Sequence, residues 1–240
     1  MAARKYLVRV SEAAFMHMTL ATIAAYDVPR QAPGKGNSAR WNESYGLLWG
    51  HKISSDRDSW IYSIEHATID GHAKTAHSWV LPSTEYREKL SEVVPAFWPS
   101  AQLIGEFHSH PYKPQDGFPA TPGLSDIDLK LIEEEETDEL HKAGIVVFLV
   151  VSIKGLQKKA WGNGGHNPAN QFSWRMGRYR LSLTAYIASA RHSPNSGTQL
   201  TVLPRHKGWP KYRHAQSPNA RIVTLSAPTG AGIKDFSDFW

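Results

Sequence analysis

His108 and His110 stand two residues apart, on a stretch that predicts a strand over residues 103–110 ending at Pro111. Side chains on a strand alternate faces, so both imidazoles project to the same side and toward one point, which is ligand geometry for a metal ion. Downstream, Ser125 and Asp128 lie where a loop enters a helix, three positions apart and so on one helical face. An aspartate there can complete a triad of ligands. Two imidazoles and one carboxylate leave the fourth position of a tetrahedral zinc open for water, the arrangement of a catalytic rather than a structural site. Such chemistry also needs a carboxylate beside the metal to accept a proton and pass it to the leaving amine. Two glutamates compete for that role. Glu106 shares the strand face of the histidines. Glu43 opens the segment Glu43-Ser44-Tyr45-Gly46-Leu47-Leu48-Trp49-Gly50, whose glycines let a strand approach another backbone closely. Periodicity does not choose between them.

The elements that must position these groups alternate along the chain. Residues 6–10 predict a strand, and Ser11 can cap a helix over 12–26 whose Ala14, Phe15, Met18, Ile23 and Ala25 suit packing on a sheet. Residues 29–38 are loop by composition. Strands are predicted over 45–53 and 60–68, then a helix over 83–94 with Ser83 as cap and Pro95 as stop. Ser125 caps a helix running to Lys142, with Gly144 ending it, and residues 145–153 form a buried strand beside which 157–161 can pair. The run Glu133 to Glu136 reads as a solvated helix face, and residues 162–165 as a turn. Apolar residues at Phe172, Met176, Tyr179, Leu183, Tyr186 and Ile187 predict a last core helix over 172–190. Residues 191–240 read as a basic, Pro/Ser/Gly-rich extension with two short strands, at 200–203 and 222–225. The fold class is α/β (α+β), a mixed β-sheet flanked by helices, with residues 1–190 as the main domain.

Composition narrows the chemistry further. The 240 residues include no cysteine, which excludes disulfides, thiolate zinc fingers, iron–sulfur clusters and a cysteine nucleophile. No apolar run of signal-peptide or membrane-spanning length is present, so a cytoplasmic protein is expected. Net charge is +5, but it is uneven: from Gly155 to Lys234 there is no acidic residue. That stretch suits an acidic protein partner, nucleic acid or plain solvation, and without a groove-reading motif nucleic acid is not the expected partner.

Together, Glu43 in E-x-x-G-L-L-x-G, His108-Ser109-His110-Pro111 and Ser125-Asp126-Ile127-Asp128 resemble the signature of the JAMM (JAB/MPN) zinc metalloproteases. The resemblance spans residues 6–161, with 172–190 continuing it. It implies a JAB/MPN, cytidine-deaminase-like architecture, with His108, His110 and Asp128 as zinc ligands, Glu43 as general acid/base and Ser125 as the hydroxyl that steadies the oxyanion. Glu106 is thereby demoted. One departure is clear: the family pattern has seven residues between the second histidine and the serine, and here residues 111–124 number fourteen. A surface loop tolerates such an insertion because closure entropy grows slowly with length. Asp116 and Asp126 are nearby carboxylates, but the spacing from Ser125 selects Asp128. Some relatives use a segment at this location to clamp the extended tail of ubiquitin by strand addition.

The resemblance implies a zinc-dependent isopeptidase or peptidase that removes a ubiquitin-like protein from conjugates or trims its precursor. Short stand-alone relatives look like deconjugating components of bacterial ubiquitin-like systems, some serving antiviral defence. Two alternatives come from other classes: a non-catalytic MPN scaffold, in which a ligand position is usually lost, and a nucleic-acid-associated protein built on the basic C-terminal third.

Overall fold

A computed structural model describes residues 5–31, 38–56, 59–120, 122–135, 140, 145–166, 169–193, 197–203 and 222–228. The chain opens with β1 (Lys5–Val10) and α1 (Glu12–Asp27), where the Ser11 hydroxyl accepts from the Ala14 amide as N-cap. Short strands β2 (Arg30–Gln31) and β3 (Ser38–Ala39) pair with each other before the long antiparallel pair β4 (Tyr45–Asp56) and β5 (Ser59–Ile69). A second small pair follows, β6 (Lys74–Thr75) and β7 (Val80–Leu81), then α2 (Thr84–Phe97) and β8 (Gln102–Tyr112). After α3 (Asp126–Lys130) and a π-helical turn, Leu131–Glu135, come β9 (Val147–Gly155), β10 (Gly162–His166), β11 (Gln171–Met176), β12 (Tyr179–Ser193), β13 (Gly197–Leu203) and β14 (Ile222–Ser226).

Ten strands form one mixed sheet in the order β10-β11-β12-β9-β8-β4-β5-β1-β14, with β13 also paired to β12. The β8–β9, β1–β5 and β1–β14 pairs are parallel and the others antiparallel. A mixed sheet flanked by a few helices is the expected class. The two late strands lie in the main sheet, β14 beside β1 with Val223 and Leu225 in the core.

The sheet buries both faces. On one, α1 seats Phe15, Met18 and Tyr26 against Val8, Leu48, Phe107, Leu149 and Val151. Each fully buried side chain of this size contributes about 1.5–3 kcal/mol. The other face is shared by α2, with Tyr86, Leu90 and Val94 over Tyr45, Leu47 and Trp49, and by the segment after β8, with Leu124, Leu129 and Ile132 over Phe148, Val150 and Tyr186.

Several expectations need correction. Residues 172–190 are not a helix but a hairpin, β11 and β12, joined at Gly177 and Arg178, where Gly177 has φ +59°. Phe172, Trp174 and, beyond the turn, Leu181, Leu183, Ala185 and Ile187 alternate into the core with period 2. The helical spacing omitted Trp174, Leu181 and Ala185, which settle the pattern. Residues 162–165 belong to β10 rather than a turn, and 157–161 form no strand. Pro95 lies inside α2 because its missing N–H costs one bond near the helix end, while Trp98 still donates to Val94. The helix after Ser125 is α-helical only through Lys130; residues 136–139 and 141–144 lie outside the described residues. Glu133 is more than a solvated charge, since its Oε1 accepts from the Val202 amide at 2.6 Å.

Gly46 sits where β4 crosses close to β5. A β-carbon there would overlap the Thr68 carbonyl and the Phe107 ring. Gly46→Ala is therefore expected to lower stability by about 1–3 kcal/mol or more in urea unfolding; an unchanged midpoint would contradict this packing.

Candidate metal centre

Register brings the chemistry together. Tyr45 of β4 pairs with His108 of β8, and the Ser109 amide donates to the Ser44 carbonyl at 2.9 Å, so Glu43 lies opposite His110. Opposed residues share a face, which puts Glu43, His108 and His110 on the same side of the sheet. Glu43 is delivered by a tightly held turn. Trp41 and Asn42 donate their amides to the Tyr26 and Ala25 carbonyls, which end α1 and would otherwise lack partners, and the Glu43 amide donates to Ala76. Trp41 adopts φ +59°, uncommon for a bulky side chain, and these bonds hold it there.

Behind the site, on the α1 face, a buried hydroxyl cluster locks the two strands. The Ser44 amide and hydroxyl both donate to Ser109 Oγ, at 2.7 and 3.0 Å, with Thr22 Oγ1 3.5 Å from Ser44 Oγ. Ser109, between the histidines, faces away from them and clamps the glutamate strand. Ser44 and Ser109 are not marked by residue type, but alternation in His108-Ser109-His110 places Ser109 on the face opposite the histidines. Ser109→Ala leaves the buried Ser44 amide unsatisfied and is expected to cost about 1–3 kcal/mol. Thermal unfolding would check this, with Ser109→Thr expected to recover part of the loss.

The third ligand candidate arrives on α3. Ser125 and Asp128 form a reciprocal cap: the Ser125 amide and hydroxyl donate to Asp128 Oδ2 at 2.6 and 2.7 Å, and the Asp128 amide donates to Ser125 Oγ at 3.2 Å. This fixes the carboxylate over the histidines. His108 Nε2 and His110 Nε2 are 3.0 Å apart, His108 Nε2 is 3.5 Å from Asp128 Oδ1, and His110 Nε2 is 3.3 Å from Asp128 Oδ2. Zinc–ligand bonds of about 2.0–2.1 Å in tetrahedral geometry require ligand atoms about 3.3 Å apart. One ligand atom from each of the three residues lies within 4.8 Å of the other two, near that spacing, so the residues fit a metal ion of this kind. Among the described residues, this is the group of histidine and acidic side chains able to hold one.

Of the other carboxylates, Glu106 and Asp116 have partners of their own. Glu106 shares the face, but its Oε2 accepts from the Tyr45 hydroxyl at 2.6 Å. Asp116 accepts from the Lys113 amide, and Asp126 is exposed at the start of α3.

Charge follows burial and neighbours. Glu43 is only 5% exposed, and burial pushes its carboxyl up to about 8, with His108 opposing the shift and Asp128 adding to it. Burial would raise Asp128, but the His108 charge and hydrogen bonds from both imidazoles hold it far below the usual carboxylate range. Burial likewise disfavours charge on His108, yet Asp128, then Glu43 and Glu106, outweigh it and raise the imidazole from 6.5 to about 9. At neutral pH a proton therefore occupies the metal-free site and must leave when a cation enters. Rising pH removes that competitor, so zinc affinity is expected to climb about tenfold per pH unit between 6.5 and 9 and then level off. Competition titration with a chromogenic chelator would measure it; an affinity flat across that window would contradict the assignment.

The fourteen-residue segment 111–124 is docked across the same face. The Lys154 ammonium donates to the Asp116 carbonyl, Phe118 meets the Tyr112 ring edge-on at 5.4 Å, and Thr184 Oγ1 donates to the Pro122 carbonyl at 2.7 Å. The segment thus crosses β9 to β12 and returns to Ser125. No helix among the described residues is long and apolar enough to cross a membrane.

No family model and no curated protein matches the sequence. Among solved structures, the chain is similar to the solution structure of protein DSY2949 from Desulfitobacterium hafniense, at 14% identity and a TM-score of 0.40 over 95% of this chain and 99% of that one, a likeness too remote to inform the chemistry.

Proposed function

We propose that the protein is a zinc-dependent isopeptidase or peptidase of the JAMM (JAB/MPN) type, acting on a ubiquitin-like protein in its conjugates or precursor. The observation that carries this reading is a metal-sized triangle of His108, His110 and Asp128 with a buried, proton-holding carboxylate, Glu43, on the same face. A zinc ion held by the three residues would supply Lewis acidity, bringing the pKa of water to about 7 and polarising a carbonyl. The rest falls to the chain. Glu43, pushed up to about 8, can take a proton and return it to a leaving amine near neutral pH. The Ser125 amide already holds Asp128 Oδ2, so its hydroxyl can turn toward a developing oxyanion without releasing the carboxylate.

The substrate class, a cytoplasmic setting and a place in bacterial deconjugation or antiviral defence rest on the motif resemblance alone. Three filled ligand positions and a filled base position favour catalysis over a scaffold. The test is a panel of ubiquitin-like fusions incubated with zinc-loaded protein, with and without chelator. Chelator-sensitive cleavage of one fusion is expected. If no fusion is cut while one zinc per chain is retained, the peptidase reading fails; cleavage persisting in Glu43→Ala would transfer the base role to Glu106.

A further inference from the structure

A cationic row continues the face that carries the histidines. His110 pairs with Ser152, Ser152 with Ser182 and Ser182 with Ser173; one step along the strands, Tyr112 pairs with Lys154, Lys154 with Arg180 and Arg180 with Arg175. Opposed residues share a face, so Lys154, Arg180 and Arg175 stand on the side of His108 and His110. Strands about 4.8 Å apart and about 6.7 Å per two residues put the Lys154 Cα about 8 Å from that of His110, and the Arg175 Cα about 16 Å from it.

Like charges directly opposed across strands destabilise a sheet. Here three stand in succession, and among the described residues none forms an ion pair with a carboxylate. The insertion aims the charges instead of neutralising them. The Asp116 carbonyl takes one of the three Lys154 protons, and Phe118 lies 4.6 Å beneath the Arg180 guanidinium, leaving its N–H edges free. Arg175 is exposed. Side chains fixed before binding lose less entropy when they meet an anion.

We propose that Lys154, Arg180 and Arg175 form a docking row for an acidic polypeptide segment, reaching from about 8 to 16 Å from the metal ligands. An extended chain of about five residues spans that distance. Naming the segment as part of a substrate rests on the peptidase reading; the binding itself does not. Nucleic acid is the less suited anion, because Arg180 already covers one face of the Phe118 ring and Tyr112 meets that ring edge-on, so it is a poor platform for base stacking.

Zinc-loaded full-length protein is titrated with fluorescein-labelled hexaglutamate, hexaglutamine and a hexathymidylate oligonucleotide, read by anisotropy at about 50 and 300 mM salt. Hexaglutamate is expected to bind at least about tenfold more tightly than hexaglutamine and to weaken at high salt. Arg175→Gln should weaken it about threefold, and Lys154→Gln/Arg175→Gln/Arg180→Gln at least about tenfold, with zinc content retained. Tighter binding of the oligonucleotide, or wild-type hexaglutamate affinity in Arg175→Gln, overturns the proposal. Because the readout is binding, a chain that cleaves no fusion would fail the peptidase reading and leave this test standing.

Discussion

Glu43→Gln is expected to lower kcat for the cleaved fusion by about 10²–10⁴, with zinc content and KM nearly unchanged. The side chain keeps its size and loses the capacity to accept a proton. Position is preserved independently, since the Glu43 amide bond to Ala76 and the Ser44–Ser109 clamp belong to the backbone and to the opposite face. Removing a carboxylate that burial raises to about 8 relieves a desolvation cost, so the variant should be at least as stable as the wild type. The sign is explicit: a folded-state pKa above the unfolded value of 4.5 means that stability contributed by the protonated group fades as pH rises through about 8. Glu43→Gln should remove that decline. Steady-state kinetics with urea unfolding at pH 6 and 9 would read both effects; a variant less stable and fully active would assign Glu43 a structural role.

Asp128→Ala carries the second large effect. Structural zinc binding is worth about 10–16 kcal/mol, so one of four ligands accounts for roughly 3 kcal/mol, more than a hundredfold in affinity. The substitution also strips the cap from α3 and leaves two imidazole nitrogens 3.0 Å apart without the carboxylate that faces both. Without that charge the His108 imidazole should fall from about 9, since Asp128 is the chief influence raising it. Asp128→Asn serves as the conservative companion: it keeps an acceptor for the Ser125 donors but lacks the charge. Both variants should lose zinc, with Asp128→Asn closer to wild type in thermal stability. Retention of wild-type zinc affinity by either would remove Asp128 from the ligand set.

The site was legible because its determinants are local. His108-Ser109-His110 declares its shared face through strand alternation, and Ser125 with Asp128 declares a helix start through a cap that the structure displays in full. Ser11 and the apolar positions of α1 were equally plain. What eluded the sequence depends on partners far along the chain. Glu43 and Glu106 were indistinguishable by periodicity; only the β4–β8 register and the Tyr45 hydroxyl bond to Glu106 separate their surroundings. In the β11–β12 hairpin, Phe172, Met176, Tyr179 and Leu183 fit both the helical and the strand period. Trp174, Leu181 and Ala185 decide for the strand period, and Phe172 and Trp174, stacked at 5.5 Å, pack against Phe15 of α1. The insertion could not be placed at all from its composition, since its anchors, Lys154, Arg180 and Thr184, come later in the chain.

X-ray absorption at the zinc edge of the reconstituted protein probes the coordination itself. The proposed function predicts one zinc per chain, four-coordinate, with two imidazole nitrogens and oxygen donors at about 2.0–2.1 Å. In His108→Ala the imidazole signal should fall or the metal should be lost. A six-coordinate spectrum without imidazole scattering, or failure of the folded wild-type chain to retain zinc, would contradict the account at its root.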